Sequence, residues 1–412
     1  MTKNNTRKNF VWNAIGLTLN ALNSLFFLIV VRFINGLDVA GIFTYAFAIG
    51  VFYYTFAIYF NRPYQVSDAK NRFSFNDYFT CRIVTSIIGL AGIVLFNLIN
   101  QLDVFQFTVI LSLCLFRTSE AISDCLYGAI QKKNKLYQTG VSLSLKAIIG
   151  LAAFTIVDYL TNSLILAIFT LIIVNIIILF LYDLKKYSKL YKSKPKLSSA
   201  NLSAILRSTL HIVIFSTLAI YLSNCQKYIL PYFATDDVQA IFGILIMPAT
   251  VLALVGSYLI NPFIGTFTDY HITKNYLNFI KNTKKLFYLM LTLGAASLII
   301  CYFIGIPILE TIFQLDLSTY HSTFLLIILG SIFYAITLIF SSLLTILGEN
   351  RRQTYIYFAA AVIATIIALA LIPTFSIDGA VYSFLVSSLV LVVLYSILLQ
   401  YKINDYIKKE AA

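Results

Sequence analysis

Arg117, Glu120 and Asp124 stand three and four residues apart in FQFTVILSLCLFRTSEAISDCLYGAIQ (105–131), a run otherwise apolar enough to enter lipid. A guanidinium and two carboxylates at this spacing can pair with one another and lock a helix bundle. They can also line a polar wall that holds an anion, a proton or a sodium ion. On a helix at 100° per residue they share an arc of about 80° with Gly128 and Gln131, so the rest of the surface stays apolar. The stripe must therefore face protein or water. Arg117 lies near the middle of the run, and Asp124 about 10 Å closer to one end. An unpaired arginine at that depth costs at least about 2.5–3.5 kcal/mol. Three more cations in or near apolar runs lack an obvious local partner: Lys146, one turn after Ser142, Lys227, and Arg32 at the end of the first run. Snorkelling to the interface is the alternative for Arg32 and Lys227. Arg82 opens another run and reads as an anchor at the membrane interface.

The elements that position these groups follow from composition. The 412 residues are 59% hydrophobic and 11% charged, with a mean hydropathy of +0.85. Soluble domains carry roughly 25% charged residues, so this is an integral membrane protein. Its apolar runs are continuous over about 20 residues, whereas barrel strands alternate over about 10, and the fold class is all-α. Twelve spans are predicted, near 10–31, 39–60, 80–99, 105–130, 139–157, 162–182, 209–230, 239–262, 286–305, 322–347, 354–373 and 380–400. The opening MTKNNTRKN leads into a run too long for a signal peptide, so the first span is kept and the mature chain is expected to begin near Met1. Cys81, Cys114, Cys125, Cys225 and Cys301 fall inside apolar runs without CxxC spacing and read as small hydrophobes. His211, His271 and His321 are scattered, and no GxxxxGK[ST] occurs. No metal, nucleotide or other cofactor is implied, and an enzyme is not expected.

Orientation follows from Lys and Arg, which are retained on the cytoplasmic side. Every second connection is basic: Lys3, Arg7 and Lys8; Arg62, Lys70 and Arg72; Lys132, Lys133 and Lys135; Lys185 through Arg207; Lys274 through Lys285; Arg351 and Arg352; Lys402, Lys408 and Lys409. The alternate connections hold Asp38, Asp103, Asp158, Asp236, Asp237, Glu310, Asp316 and Asp378 and no Lys or Arg. Both termini are thus expected in the cytoplasm. The net charge of +13 is a topology signal that suits anionic membrane lipids and needs no nucleic acid partner. The basic stretch 183–208 is expected to be a cytoplasmic linker between a six-helix lobe at 1–182 and another at 209–412. A weak repeat agrees, Arg32-Phe-Ile before Asp38-Val-Ala-Gly-Ile-Phe and Lys227-Tyr-Ile before Asp237-Val-Gln-Ala-Ile-Phe. A cation-rich cleft between the lobes would suit an anionic headgroup too polar for lipid.

Four stretches carry a resemblance: RPYQVSDAKNRFSFNDYFTCRI (62–83), RTSEAISDCLYGAIQKKNKL (117–136), SLSLK (142–146), and QKYILPYF with the DVQAIFGILIMPA that follows it (226–249). Together they resemble the oligosaccharide-unit flippases of bacterial polysaccharide biosynthesis, within the multidrug/oligosaccharidyl-lipid/polysaccharide exporter superfamily. The resemblance implies two six-helix bundles in a bacterial cell membrane, alternating access, and translocation of an undecaprenyl-diphosphate-linked glycan for capsule or exopolysaccharide. It implies that Arg117, Lys146, Lys227 and Arg32 meet the diphosphate, with Glu120 and Asp124 coupling an ion or orienting Arg117. Other polysaccharide-assembly proteins would be further partners. The alternatives are a peptidoglycan-precursor flippase, a drug antiporter, which would favour an acidic cleft, and a membrane polymerase or ligase, which would need a larger outer loop.

Overall fold

The computed structural model is helical almost throughout, and among its described residues (3–59, 61–68, 72–198 and 200–411) there is no strand. Met1 and Lys70, which enter the readings above, lie outside them. The chain forms two compact units, Met1–Ile220 and Tyr221–Ala412.

The first unit comprises α1 (Lys3–Asn35), α2 (Leu37–Ile58), α3 (Asn61–Ser67), α4 (Phe75–Ile99), α5 (Val104–Lys132), α6 (Leu136–Thr161), α7 (Leu164–Ile178), α8 (Leu184–Tyr191) and most of α9 (Leu202–Ile229). Local chemistry sets their ends. Gly36, at φ 96°, makes the one-residue turn from α1 into α2, a conformation that costs glycine no Cβ clash. Ser74 and Asp77 satisfy each other's backbone N–H groups in a capping box at the start of α4. The Asp103 carboxylate accepts the N–H groups of Phe105 and Gln106 at the start of α5. α1 and α6 approach backbone to backbone: a Cβ on Gly16 would strike the Gly140 carbonyl, and one on Gly140 would strike the Trp12 carbonyl.

α7 does not stop at the expected end of the sixth span. A π-helical turn, Leu179–Asp183, carries it into α8. The stretch 183–191, read above as the start of a linker, therefore continues the helix, and Asp183 is fully buried. Lysine-rich α8 has a strongly one-sided pattern, with Tyr187 buried against α4.

The second unit takes the end of α9 and then α10 (Asp236–Leu245), α11 (Met247–Ile260), α12 (Ile264–Ile272), α13 (Tyr276–Ile300), α14 (Ile306–Phe313), α15 (His321–Ile346), α16 (Asn350–Phe375) and α17 (Ile377–Ala411). Proline interrupts its rods. Pro248 opens α11, Pro262 sits in the 3-10 turn between α11 and α12, Pro307 follows a π turn at the start of α14, and Pro373 lies inside α16. Each removes an N–H from the helical ladder and crowds the preceding turn.

The surface is what lipid requires. Large apolar side chains, among them Ile87, Leu98, Ile173, Leu181 and Phe303, stand exposed on the outside of the spans. Among the described residues, eleven helical rods are long and apolar enough to cross a membrane. The twelfth is α5, whose 29 residues are also long enough but carry Arg117, Glu120 and Asp124.

Candidate functional site

The polar stripe of α5 is resolved into two separate ion clusters, and the first is the pair anticipated from spacing. Arg117 Nη1 donates to Glu120 Oε2 at 2.5 Å, with side chains 13% and 12% exposed. The guanidinium lies over the ring of Phe47 on α2, 4.7 Å from its centroid, with Tyr54 and Phe116 beside it. Gly50 leaves the room on α2 for the Arg117 stem to pack. Arg117 is thus held by one carboxylate and an aromatic cage.

Asp124 does not orient Arg117. It bridges two other arginines: Arg62 Nη1 at 3.1 Å and Arg82 Nη2 at 3.0 Å. Arg62, from α3, also reaches Gln131 Oε1 with Nε and Nη2 and lies over the Tyr127 ring. Arg82, from α4, is 0% exposed, so it is not the interface anchor expected from its place at the head of an apolar run. The expectation erred because the helix begins at Phe75, a turn and a half before the apolar run, so Arg82 sits inside the bundle. Its Nε and Nη1 meet no hydrogen-bonding partner among the described residues, and the thiol of Cys125 alongside is at best a weak acceptor.

Lys146 has a partner that its own neighbourhood in sequence hides. Nζ donates to Asp183 Oδ2 at 2.9 Å and to Ser123 Oγ at 2.5 Å, while Ser142 Oγ donates to Asp183 Oδ1 at 2.6 Å. The side chains of the ion pair are 4% and 0% exposed. Tyr127 joins this group to that of Asp124: its hydroxyl is 2.8 Å from Ser142 Oγ, and Lys146 and Arg62 both lie over its ring. Arg62, Arg82 and Asp183 are the members that sequence reasoning missed. The first two counted as interface cations and the third as a linker residue, and only the folded helices turn them inward.

Arg32 and Lys227 are placed differently. Arg32 is half-buried at the end of α1, and its Nε meets no partner among the described residues. One turn on, Asn35 donates to Oδ2 of the buried Asp158 at 2.6 Å. Lys227 belongs to the second unit, half-buried near the end of α9, and no carboxylate among that unit's described residues pairs with it. The Gln239 carboxamide caps its backbone carbonyl. Within the first unit the clusters contain four cations and three carboxylates, a surplus of one positive charge around α5.

No protein-family model matches the chain. It is 22% identical over 390 residues to the capsular polysaccharide biosynthesis protein CapF of Staphylococcus aureus, which covers 94% of this chain and 98% of that protein. Among solved structures, a variant of the Vibrio cholerae MATE transporter VcmN superposes with a TM-score of 0.65 at 15% identity, over 98% of this chain and 99% of VcmN. An inward-facing multidrug resistance MATE transporter of the MOP superfamily superposes with a TM-score of 0.62 at 12% identity, over 98% and 95%. The chain is accordingly a multi-pass, all-α protein of a bacterial cell membrane, with the fold of the MATE transporters.

Proposed function

We propose that this chain flips a polyprenyl-diphosphate-linked oligosaccharide repeat unit from the inner to the outer leaflet for capsule or exopolysaccharide assembly, by alternating access and without ATP. The observation that carries the reading is Arg82, a fully buried guanidinium whose Nε and Nη1 have no oxygen or nitrogen acceptor among the described residues, sharing one carboxylate with Arg62. Buried donors without acceptors are costly, and a planar fork of this kind matches phosphate oxygens. The diphosphate oxygens compete with Asp124 for the two arginines and draw Arg117 from Glu120. Lys146, Lys227 and Arg32 are kept as further contacts in the cycle, Lys146 only after Asp183 yields. The similarity to CapF over nearly the whole chain supports the glycan class. In this reading the basic connections and both termini face the cytosol, and the lobes 1–182 and 209–412 rock about the stretch between them. A head with about two negative charges gains roughly 4–5 kcal/mol per 100 mV on leaving a negative cytosol, so the membrane potential is a sufficient drive.

The test is transfer of a fluorescent, short-chain polyprenyl-diphosphate sugar across proteoliposomes, read by quenching of the outer leaflet. The native chain should move it faster than empty vesicles, and Arg82→Gln should return the rate to background. The fold is shared with multidrug resistance transporters, which makes a cation antiporter the second reading. If the same vesicles exchange a cationic dye for protons or sodium and leave the lipid-linked sugar unmoved, that reading replaces ours.

A further inference from the structure

A pocket of about 270 Å³ lies in the first unit, walled by the rings of Phe73, Phe75, Tyr78 and Tyr191, with Gln65, Ser74 and Lys132 as polar members. It shares its scaffold with the arginine pair. α3 supplies Arg62 to Asp124 and, one turn on, Gln65 to the pocket. α4 supplies Arg82 and, one turn before it, Tyr78. α5 supplies Asp124 itself and, two turns on, Lys132. At 1.5 Å per residue the pocket therefore sits about 5–12 Å along the same three helices from the shared carboxylate.

Its chemistry selects the occupant. Lys132 is the only cation among the lining residues, and it is committed, donating to the Asp68 carbonyl at 2.9 Å beside the Asp68 carboxylate. A phosphate would find no uncommitted charge there. Gln65 is 2% exposed and its Oε1, which meets no partner among the described residues, abuts Gly128 on α5 and adds no charge to the pocket. The rings offer flat apolar faces of the kind that stack on the C–H face of a pyranose. Tyr191 is fixed by its hydroxyl bond to the Ala129 carbonyl at 2.9 Å and by stacking on Tyr187. The volume falls just below the roughly 300–1,000 Å³ of sites for drug-sized ligands, the scale of a single ring. From this juxtaposition we infer that the pocket is a carbohydrate subsite for one neutral sugar ring of the glycan, one to two helical turns from the arginines that take its diphosphate. The inference rests on the flippase reading for the identity of the ligand.

Saturation-transfer NMR on the purified full chain in nanodiscs, with the methyl glycosides of glucose, galactose and N-acetylglucosamine as probes, tests it. At least one glycoside should receive saturation from the native chain. Ala129→Leu, which fills the pocket floor, and Tyr191→Leu, which removes a ring and keeps an apolar wall, should each weaken that binding at least about tenfold. No transfer to any of the three, or transfer unchanged in both variants, overturns the subsite. Inorganic pyrophosphate titrated into the same samples reads the arginines alone. Its failure to bind would overturn the headgroup assignment, while the glycoside result would still decide the pocket.

Discussion

Lys146 and Asp183 form a 2.9 Å ion pair closed to solvent on both sides, between the fifth and sixth membrane rods. Removing one member leaves a bare charge in the bundle, which costs about 3–5 kcal/mol, whereas replacing both with apolar groups of similar volume is often neutral. Lys146→Ala should lose most of its folded protein in detergent, judged by fluorescence-detected size exclusion. Lys146→Met with Asp183→Leu should restore it. Transport measured in that double variant separates the bundle-locking role from a role in the cycle, because only the latter predicts a folded but inactive protein.

Arg117 allows the same separation where the partner is three residues away. Arg117→Lys keeps the charge but loses the planar fork, and a hydrogen bond to a charged group is worth about 1.5–3 kcal/mol. The Lys variant should reach native abundance and transport about tenfold more slowly or worse. Restored transport in Arg117→Ala with Glu120→Gln would instead assign the pair a purely structural role.

Gly140 is where α6 meets α1. A methyl group there would strike the Trp12 carbonyl, and backbone cannot swing aside as a side chain can. Gly140→Ala should destabilise the protein by about 1–3 kcal/mol, and Gly140→Leu by more, measured as loss of thermal stability in detergent. Gly92 lies in open space on α4, and Gly92→Ala should be silent.

In the connection between α3 and α4, Asp68 accepts from the backbone N–H groups of Arg72 and Phe73. Burial alone would raise its pKa, but the N–H groups of Arg72 and Phe73, the Tyr78 hydroxyl and the Lys132 charge outweigh burial and hold it below its ordinary value. A carboxyl depressed on folding contributes stability above its unfolded pKa, and that contribution is lost as pH falls through the folded one. Proteolysis within this connection should therefore rise below about pH 4 in the native chain. In Asp68→Asn it should be raised at neutral pH and vary little with pH.

The twelve rods were legible because each is a long apolar run, and lipid leaves backbone no alternative to a helix. Arg117 with Glu120 was legible for a similar reason, since three residues on one helix fix a neighbour relation by themselves. The partners of Asp124 and Lys146 come from other helices and had no such signal. Arg62 sits at a helix end and Arg82 at the head of an apolar run, where a basic residue ordinarily reports topology. Asp183 follows the last apolar residues of its span, and only the π turn at Leu179–Asp183, which adds a residue to one helical turn, carries it inward. The pocket walls were among many aromatics, and aromatics at a membrane interface look alike until their contacts are known.

The prolines divide mechanical work unevenly. Rods in the second unit are cut near Ile246, Asn261, Gly305 and Pro373, whereas α5, which carries the ion clusters, runs unbroken for 29 residues. A cut rod bends at little cost where its ladder is already open, and a continuous one resists. Arg117, Glu120 and Asp124 are thus mounted on a stiff rod, and compliance is stored in the second unit, outside the rod that carries them. Amide hydrogen exchange should show this as a gradient, fast around the four cuts and slow along α5. A sequence change that straightened the second unit would leave the ion clusters intact and still slow the cycle.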